Sequence, residues 1–406
     1  MKTILALPLF AAAALLAPPS HLNAAEHIKH VFVIVLENEG YSTTFGPQSL
    51  APYLSKTLPS KGVLLTNYYG TSHVSLGNYI AMISGQAADN ETRTDCQTYS
   101  NFVQTGTTPD GQAMGSGCIF PSSVLTVADQ LDNAAKTWKA YMEDMGNDPN
   151  REASTCGHPS PGSADGTQSP EAPTASLAQG DQYATRHNPF MYFRSIIDSP
   201  GCNSKVVRLD QLQADLASAD TTPNFAFITP NLCNDGHDAP CVTGQPGGLV
   251  SADAFLRKWI PMIEASPAYK SGLIVVTFDE GGLTTSKNSS GGIVISAAGQ
   301  SCCNQQPGPN LGAFPQSSAL GPYTLSYQSF GGDQTGTVLL SPFLRAGSVS
   351  NSYFNHYSLL RTIEDIFDLG YLGYAGQAGQ IGFFGCVTSD IVDTTKGQFS
   401  TCHQPQ

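Results

Sequence analysis

The sequence predicts an α/β protein: a mainly parallel central sheet with helices on both faces and long loop insertions. Three observations predict it. His30 to Leu36 (HVFVIVL) and Leu273 to Phe278 (LIVVTF) are continuous apolar runs rich in β-branched residues, which is how strands buried on both faces read. Helical patterns alternate with such runs, as a parallel sheet requires. Charged residues are only 13% of the 406 residues, and glycines number 40. That balance excludes a coiled coil, a helical solenoid and a charge-driven disordered chain.

The elements follow in order. After the first strand, Ser75 to Ser84 (SLGNYIAMIS) reads as the start of a helix. A helix around Val127 to Ala135 precedes a strand at Trp138 to Met142. Phe225 to Thr229 (FAFIT) is a further buried strand. Ala252 to Ala265 has helical periodicity, with Trp259 and Ile260 on its apolar side. Val338 to Leu340 is a short strand, and Tyr357 to Leu369 is an amphipathic helix. Residues 89–120, 146–180 and 283–335 are rich in Gly, Ser, Thr and Pro and read as loops. There is no internal repeat. One domain over residues 26–406 is expected, after a leader.

That leader is residues 1–25: Lys2, an apolar stretch from Ile4 to Leu16, then small residues ending in Asn23-Ala24-Ala25. It has the pattern of a secretory signal peptide. The apolar run is short for a membrane span. A secreted or periplasmic location without stable membrane insertion follows. Ten cysteines lie beyond the leader, an even number that favours disulfides in an exported chain. Cys233 with Cys241, and Cys386 with Cys402, are candidate pairs. The neighbours Cys302 and Cys303 are expected to pair elsewhere. The net charge of −13 and the lack of a basic run argue against nucleic-acid binding.

Ligands bind beyond the carboxyl ends of strands in such sheets. The first strand ends in Glu37-Asn38, and the strand Leu273–Phe278 ends in Asp279-Glu280. Either acid alone reads equally well as a helix cap. Two strands each ending in a ligand pair favour a hard divalent cation (Mg²⁺, Mn²⁺ or Ca²⁺) over zinc. Ser75 opens a helix, where the dipole favours an incoming anion. Taken alone it is an ordinary N-cap. Beside a metal it becomes a nucleophile. Asn78, one turn on, could donate to a phosphate oxygen. His187, His237 and His356 each adjoin Asn or Asp and suit phosphate contacts or general-acid work. Glu143 reads as a residue that holds a neighbouring loop.

The blocks HVFVIVLENEGY, SHVSLGNYIAMISG, TWKAYMEDM, RHNPFMYF, FITPNLCNDGHD, VVTFDEGG and NHYSLLRTIEDIF occur in this order from His30 to Leu369. Together they resemble the phosphoesterase family of bacterial type-C phospholipases and secreted acid phosphatases, within the alkaline phosphatase superfamily. The resemblance implies an alkaline-phosphatase-like fold. It implies a metal held by Glu37, Asn38, Ser75, Asp279 and Glu280, and a phosphoserine formed on Ser75. It also implies that Asn78, His187, His237 and His356 serve the phosphoryl or leaving group, and leaves Asp235 near the metal. Gly77 and Val74 stand where relatives often have Pro. The activity so implied is a secreted metal-dependent phosphomonoesterase, with phosphoinositides or other phosphorylated head groups among its substrates. A type-C phospholipase and an inactive exported binding protein are the alternatives. A protonated His237 or His356 donating to the leaving oxygen would place the optimum on the acid side of neutral.

Overall fold

The computed structural model describes residues 27–385. The expected leader over residues 1–25 and the Cys386–Cys402 pair lie outside the described residues. An eight-stranded sheet forms the centre. Its strands are β1 (His30–Leu36), β2 (Val63–Tyr69), β3 (Trp138–Met142), β4 (Val206–Arg208), β5 (Phe225–Thr229), β6 (Gly272–Phe278), β7 (Thr337–Leu340) and β8 (Ser348–Asn355). They lie in the order β8-β2-β7-β6-β1-β5-β3-β4. Within this sheet β7 alone runs against its neighbours, β6 and β2. The mainly parallel sheet expected from the apolar runs is therefore present.

The register places Val33 beside both Phe227 and Val275. Alternation then splits β1 between two cores. Val31, Val33 and Val35 pack on one face, and Phe32, Ile34 and Leu36 on the other. All six are fully buried. Each such side chain contributes about 1.5–3 kcal/mol through burial. A charge at Val33 would have no partner on either side and would break the sheet.

Four helices cover the faces: α1 (Ser75–Ser84), α2 (Val127–Asn133), α3 (Gly248–Glu264) and α4 (His356–Phe367). The Val31 face carries α1, α2 and α4 through Ile80, Leu131 and Leu359. The other face carries α3 through Leu256, Trp259 and Ile260. Thr126 with Asp129, and Asn355 with Ser358, form capping boxes that start α2 and α4. Every residue of α1 is buried. That burial explains Gly77: a Cβ there would come within 2.7 Å of the Ala88 Cβ.

The loop reading of residues 283–335 needs correction. They hold a four-stranded sheet of Thr284–Lys287, Ile293–Ala297, Gln316–Leu320 and Tyr323–Tyr327. Its core is small, with Ala297, Leu325 and Tyr327 buried, and Thr284–Lys287 is exposed throughout. Apolar alternation, the signal of a strand, is therefore nearly absent. A hairpin of Val103–Thr107 and Ala113–Ser116 likewise interrupts residues 89–120. The sequence reading also lacks β2, β4 and β8. β4 is three residues long, and the edge strand β8 is rich in Ser and Asn.

Cys233 pairs with Cys241 as expected. Cys302 and Cys303 are bonded to each other rather than elsewhere. Cys96–Cys118 closes the 89–120 segment on itself, and Cys156–Cys202 ties the 146–180 segment to the short helix before β4.

Candidate active site

The three central strands β6, β1 and β5 end side by side and deliver Asp279, Glu37 and, after a short turn, Asp235. Backbone bonds hold these ends together. Glu37 N–H donates to the Asp235 carbonyl at 2.8 Å, and Asp279 N–H to the Leu36 carbonyl at 2.9 Å. Asn38 adopts the left-handed conformation, with φ of 57°. This turn lets its N–H reach Asp279 Oδ1 at 3.0 Å.

Ser75 meets these acids from α1. Its Oγ donates to Glu37 Oε2 at 2.7 Å, and the side chain is buried. Ser75 is the first residue of the helix, not its cap. Val74 holds the cap position without a side-chain bond, and Asp95 Oδ1 accepts the Leu76 N–H at 2.9 Å instead. Four residues along, on the same helical face, Tyr79 donates its hydroxyl to Glu37 Oε1 at 2.5 Å. Tyr79 also stacks on His187 with centroids 5.3 Å apart. The spacing from Ser75 to Tyr79 was a sequence signal for this role.

The remaining expected residues divide. His187 is buried between acids, with Nε2 3.3 Å from Glu37 Oε1 and Nδ1 3.7 Å from Asp235 Oδ2. Asn78 turns inward. Its Oδ1 accepts the Thr71 and Ser72 N–H groups at 2.8 and 2.9 Å, and its Nδ2 donates to the Ser72 and Val74 carbonyls. No donor is left for a phosphate, so Asn78 shapes the loop that carries Ser75. His356 is fully buried, with Nδ1 2.9 Å from the Tyr68 hydroxyl and Nε2 2.5 Å from the Asp279 carbonyl. It braces the β6 end and does not reach solvent. The His237 ring is half exposed, with Nδ1 3.4 Å from Asp238 Oδ1, while the backbone N–H of His237 donates to Asp235 Oδ1.

Glu280 is separated from its neighbour. Successive residues leaving a strand point to opposite sides. Asp279 turns to Asn38, and Glu280 turns to His73, whose Nδ1 it contacts. His73 Nε2 lies 2.9 Å from Asp333 Oδ2. His73 lies within the SHVSLGNYIAMISG block, but its partner Asp333 is 260 positions away, so no local pattern assigns the pair a role. Arg186, buried and 3.6 Å from Asp95, was also missed. Glu143 behaves as expected and accepts the Asn231 N–H and the Asn234 side chain, each at 3.0 Å.

Burial sets the electrostatics. It raises the Glu37 carboxyl well above its ordinary range, and Asp279 and Asp235 push it further. Asp235 is likewise raised well above its ordinary value by burial, and Asp279 is pushed up to about 6. His187 is held well below its usual value by burial and by Arg186. Burial lowers His356 to about 3 and also lowers His237. Burial thus disfavours the protonated His356 expected from the sequence, and both its nitrogens are already engaged, by Tyr68 and by the Asp279 carbonyl.

Buried carboxylates that repel one another call for positive charge. Asn38 Oδ1, Asp235 Oδ2 and Asp279 Oδ2 are buried and have no hydrogen-bond partner. All are hard oxygen donors, which fits Mg²⁺, Mn²⁺ or Ca²⁺. Among the described residues no three His, Cys, Asp or Glu side chains form a cage by themselves.

The model of the Phosphoesterase family matches residues 51–370. That span holds Ser75, His187, His237 and Asp279, while Glu37 and Asn38 precede it. An acid phosphatase of Aspergillus fumigatus is 27% identical over 292 residues, covering 71% of this chain and 53% of the relative. A phosphatidylinositol-3-phosphatase of Mycobacterium tuberculosis is 22% identical over 258 residues, covering 64% of this chain and 65% of the relative. A solved protein in the alkaline phosphatase superfamily from Vibrio parahaemolyticus has a TM-score of 0.43 and 10% identity, covering 84% of this chain and 67% of that one. The chain spans about half the length of the acid phosphatases it matches.

Proposed function

The chain belongs to the Phosphoesterase family, and from that premise we propose that it is an exported phosphomonoesterase of acid phosphatase type. Phosphorylated head groups, phosphoinositides among them, are its proposed substrates. One observation carries the reading. Ser75 Oγ stands buried at the first position of α1, hydrogen-bonded to Glu37, where three parallel strands deliver buried acids.

The residues then have defined tasks. Ser75 Oγ attacks phosphorus, the Oγ–P bond forms and the P–O bond to the alcohol breaks. The Ser75 proton already points at Glu37 Oε2 and leaves along that hydrogen bond. Tyr79 and Asn38 each donate to Glu37 and fix its two oxygens. The N-terminus of α1 favours the phosphoryl anion. His237, the solvent-facing ring of the three histidine candidates, delivers a proton to the departing alcohol oxygen. Water then gives a proton back to His237 and attacks the phosphoserine; the P–Oγ bond breaks, Ser75 Oγ recovers its proton from Glu37, and phosphate leaves. A divalent cation held by Glu37, Asn38, Ser75 and Asp279, with Asp235 beside them, would polarise the phosphoryl oxygens as a Lewis acid. Glu280 supports this set through His73 rather than from within it.

The test is a trapping experiment with p-nitrophenyl phosphate. Acid quench and mass spectrometry should find one phosphoryl group on Ser75. Ser75→Ala should lower turnover by about a thousandfold or more with the fold intact. Retention of over a tenth of turnover would sink the nucleophile assignment. Faster hydrolysis of p-nitrophenyl phosphorylcholine than of the monoester would move the protein to the phospholipase class.

A further inference from the structure

Arg186 stands against the first turn of α1 with part of its guanidinium unused. Resting on the phosphomonoesterase reading, we propose that Arg186 is a catalytic residue of that reaction: its two free Nη2 hydrogens donate to non-bridging oxygens of the phosphoryl group as Ser75 attacks, and this contact favours monoesters over diesters.

The local fold puts the guanidinium there. Thr185–His187 is a single 3-10 turn packed on α1. Its His187 stacks on Tyr79 and lies 3.3 Å from Glu37 Oε1. Asp95 ties Arg186 to the helix start. Its Oδ1 accepts the Leu76 N–H at 2.9 Å, and its Oδ2 lies 3.6 Å from Arg186 Nε. Leu76 directly follows Ser75, so one carboxylate spans from the nucleophile's helix to the guanidinium. Burial and then the Arg186 charge hold His187 and His237 below their usual value. The field of Arg186 therefore also reaches the ring that serves the leaving oxygen.

The donors of Arg186 are only partly used. A guanidinium has five N–H groups. The Nε group faces Asp95, and Nη1 donates to the Thr167 and Gln168 carbonyls at 3.4 and 3.3 Å. Nη2 has no hydrogen-bond partner among the described residues. An arginine that serves as counter-ion to a carboxylate typically holds it through two parallel N–H···O bonds. Here the approach to Asp95 is single, and 3.6 Å is too long for a hydrogen bond. The side chain keeps 11% of its exposure, so the open edge is not sealed.

The reaction needs such a donor. Asn78 spends both its side-chain hydrogens inside its own loop. Among the described residues no Lys or Arg pairs with Glu37, Asp235 or Asp279, and His187 alone stands between two of them. A dianion arriving beside these acids requires fixed positive charge. A planar guanidinium meets two phosphoryl oxygens at once. A diester brings one charge fewer and one free oxygen fewer, so the same contact stabilises it less.

The experiment places Arg186→Gln beside the wild type on the purified full chain with Mn²⁺ present. The substrates are p-nitrophenyl phosphate and bis(p-nitrophenyl) phosphate, with inorganic phosphate as competitive inhibitor. Monoester kcat/KM should fall about a hundredfold and diester kcat/KM by less than about tenfold, while the phosphate Ki rises about tenfold. Arg186→Lys keeps the charge beside Asp95 and loses the planar fork. It should recover phosphate binding more than monoester rate, and still lower the monoester-to-diester ratio by about tenfold. If Arg186→Gln fails to fold, that ratio and the phosphate Ki are read on Arg186→Lys. An equal loss on both esters, or an unchanged phosphate Ki, would make Arg186 a counter-ion of Asp95 and overturn the assignment while the phosphatase reading stands. Absence of wild-type monoester turnover would overturn the phosphatase reading, and the role of Arg186 with it.

Discussion

On one side of Asp333 stand Glu37, Asp235 and Asp279, each wholly buried at the end of, or just after, a central parallel strand. On the other stand Gln300 and Gln328, exposed residues of the insertion after β6. The first group is acidic, buried and held by backbone bonds between neighbouring strands. The second is neutral and rests on a small core of Ala297, Leu325 and Tyr327. A reaction centre needs groups fixed to a fraction of an ångström, which strand ends supply. Loops and insertions can vary without disturbing the sheet. The buried acids thus sit on the part of the fold that tolerates least change, and the insertion on the part that tolerates most.

The largest break in this contrast should come from the buried side. Asp279→Asn removes a charge and an unpartnered oxygen from the acid cluster. Turnover should fall about a hundredfold or more, with a matching loss of Mn²⁺ affinity by calorimetry. Chelation should abolish wild-type activity, and a hard divalent ion should restore it. Full turnover by the demetallated enzyme would remove the cation from the centre.

Asn78 sharpens the same side with a smaller effect. Asn78→Ala strips the acceptor from two buried N–H groups. The loss should be about 2–3 kcal/mol of stability, together with roughly tenfold in rate as the Ser75 loop loosens. Asn78→Asp keeps that acceptor and should recover most of the stability. An Ala variant that melts like the wild type yet has lost turnover would return Asn78 to the phosphoryl group.

The smallest effect lies away from both regions and calibrates the role of burial. Glu364 on α4 is pushed up to about 9, chiefly by burial, so it is neutral in the folded protein. An unfolded Glu ionises near its ordinary value of about 4.3. Unfolding therefore releases a proton across that window, and stability declines as pH rises from about 4.5 to about 9. Glu364→Gln keeps an acceptor for the Leu372 N–H and removes the slope. It should stabilise the protein at pH 8 by on the order of 1–3 kcal/mol, and far less at pH 5. Equal melting shifts at both pH values would show that Glu364 is ionised in the fold.

The sequence by itself determined the central buried strands and what ends them. The runs at His30–Leu36, Phe225–Thr229 and Gly272–Phe278 are apolar without alternation, a local signal that needs no partner to be read. The acids that follow each run, and Ser75 at a helix start, were therefore legible. Tertiary structure decided which of them face one another. Asp279 and Glu280 are adjacent in sequence, yet the pleat sends one to the Ser75 cluster and the other to His73. The pairing of His73 with Asp333, and the burial of His356 between Tyr68 and the Asp279 carbonyl, join residues 77 to 288 positions apart. Asn78 was assigned to a phosphate because its helical position is local information, whereas its capture by the Thr71–Val74 loop is not. The insertion sheet escaped for a related reason. Its strands are short and solvated, so pairing across the sheet, rather than any periodicity along the chain, makes them strands.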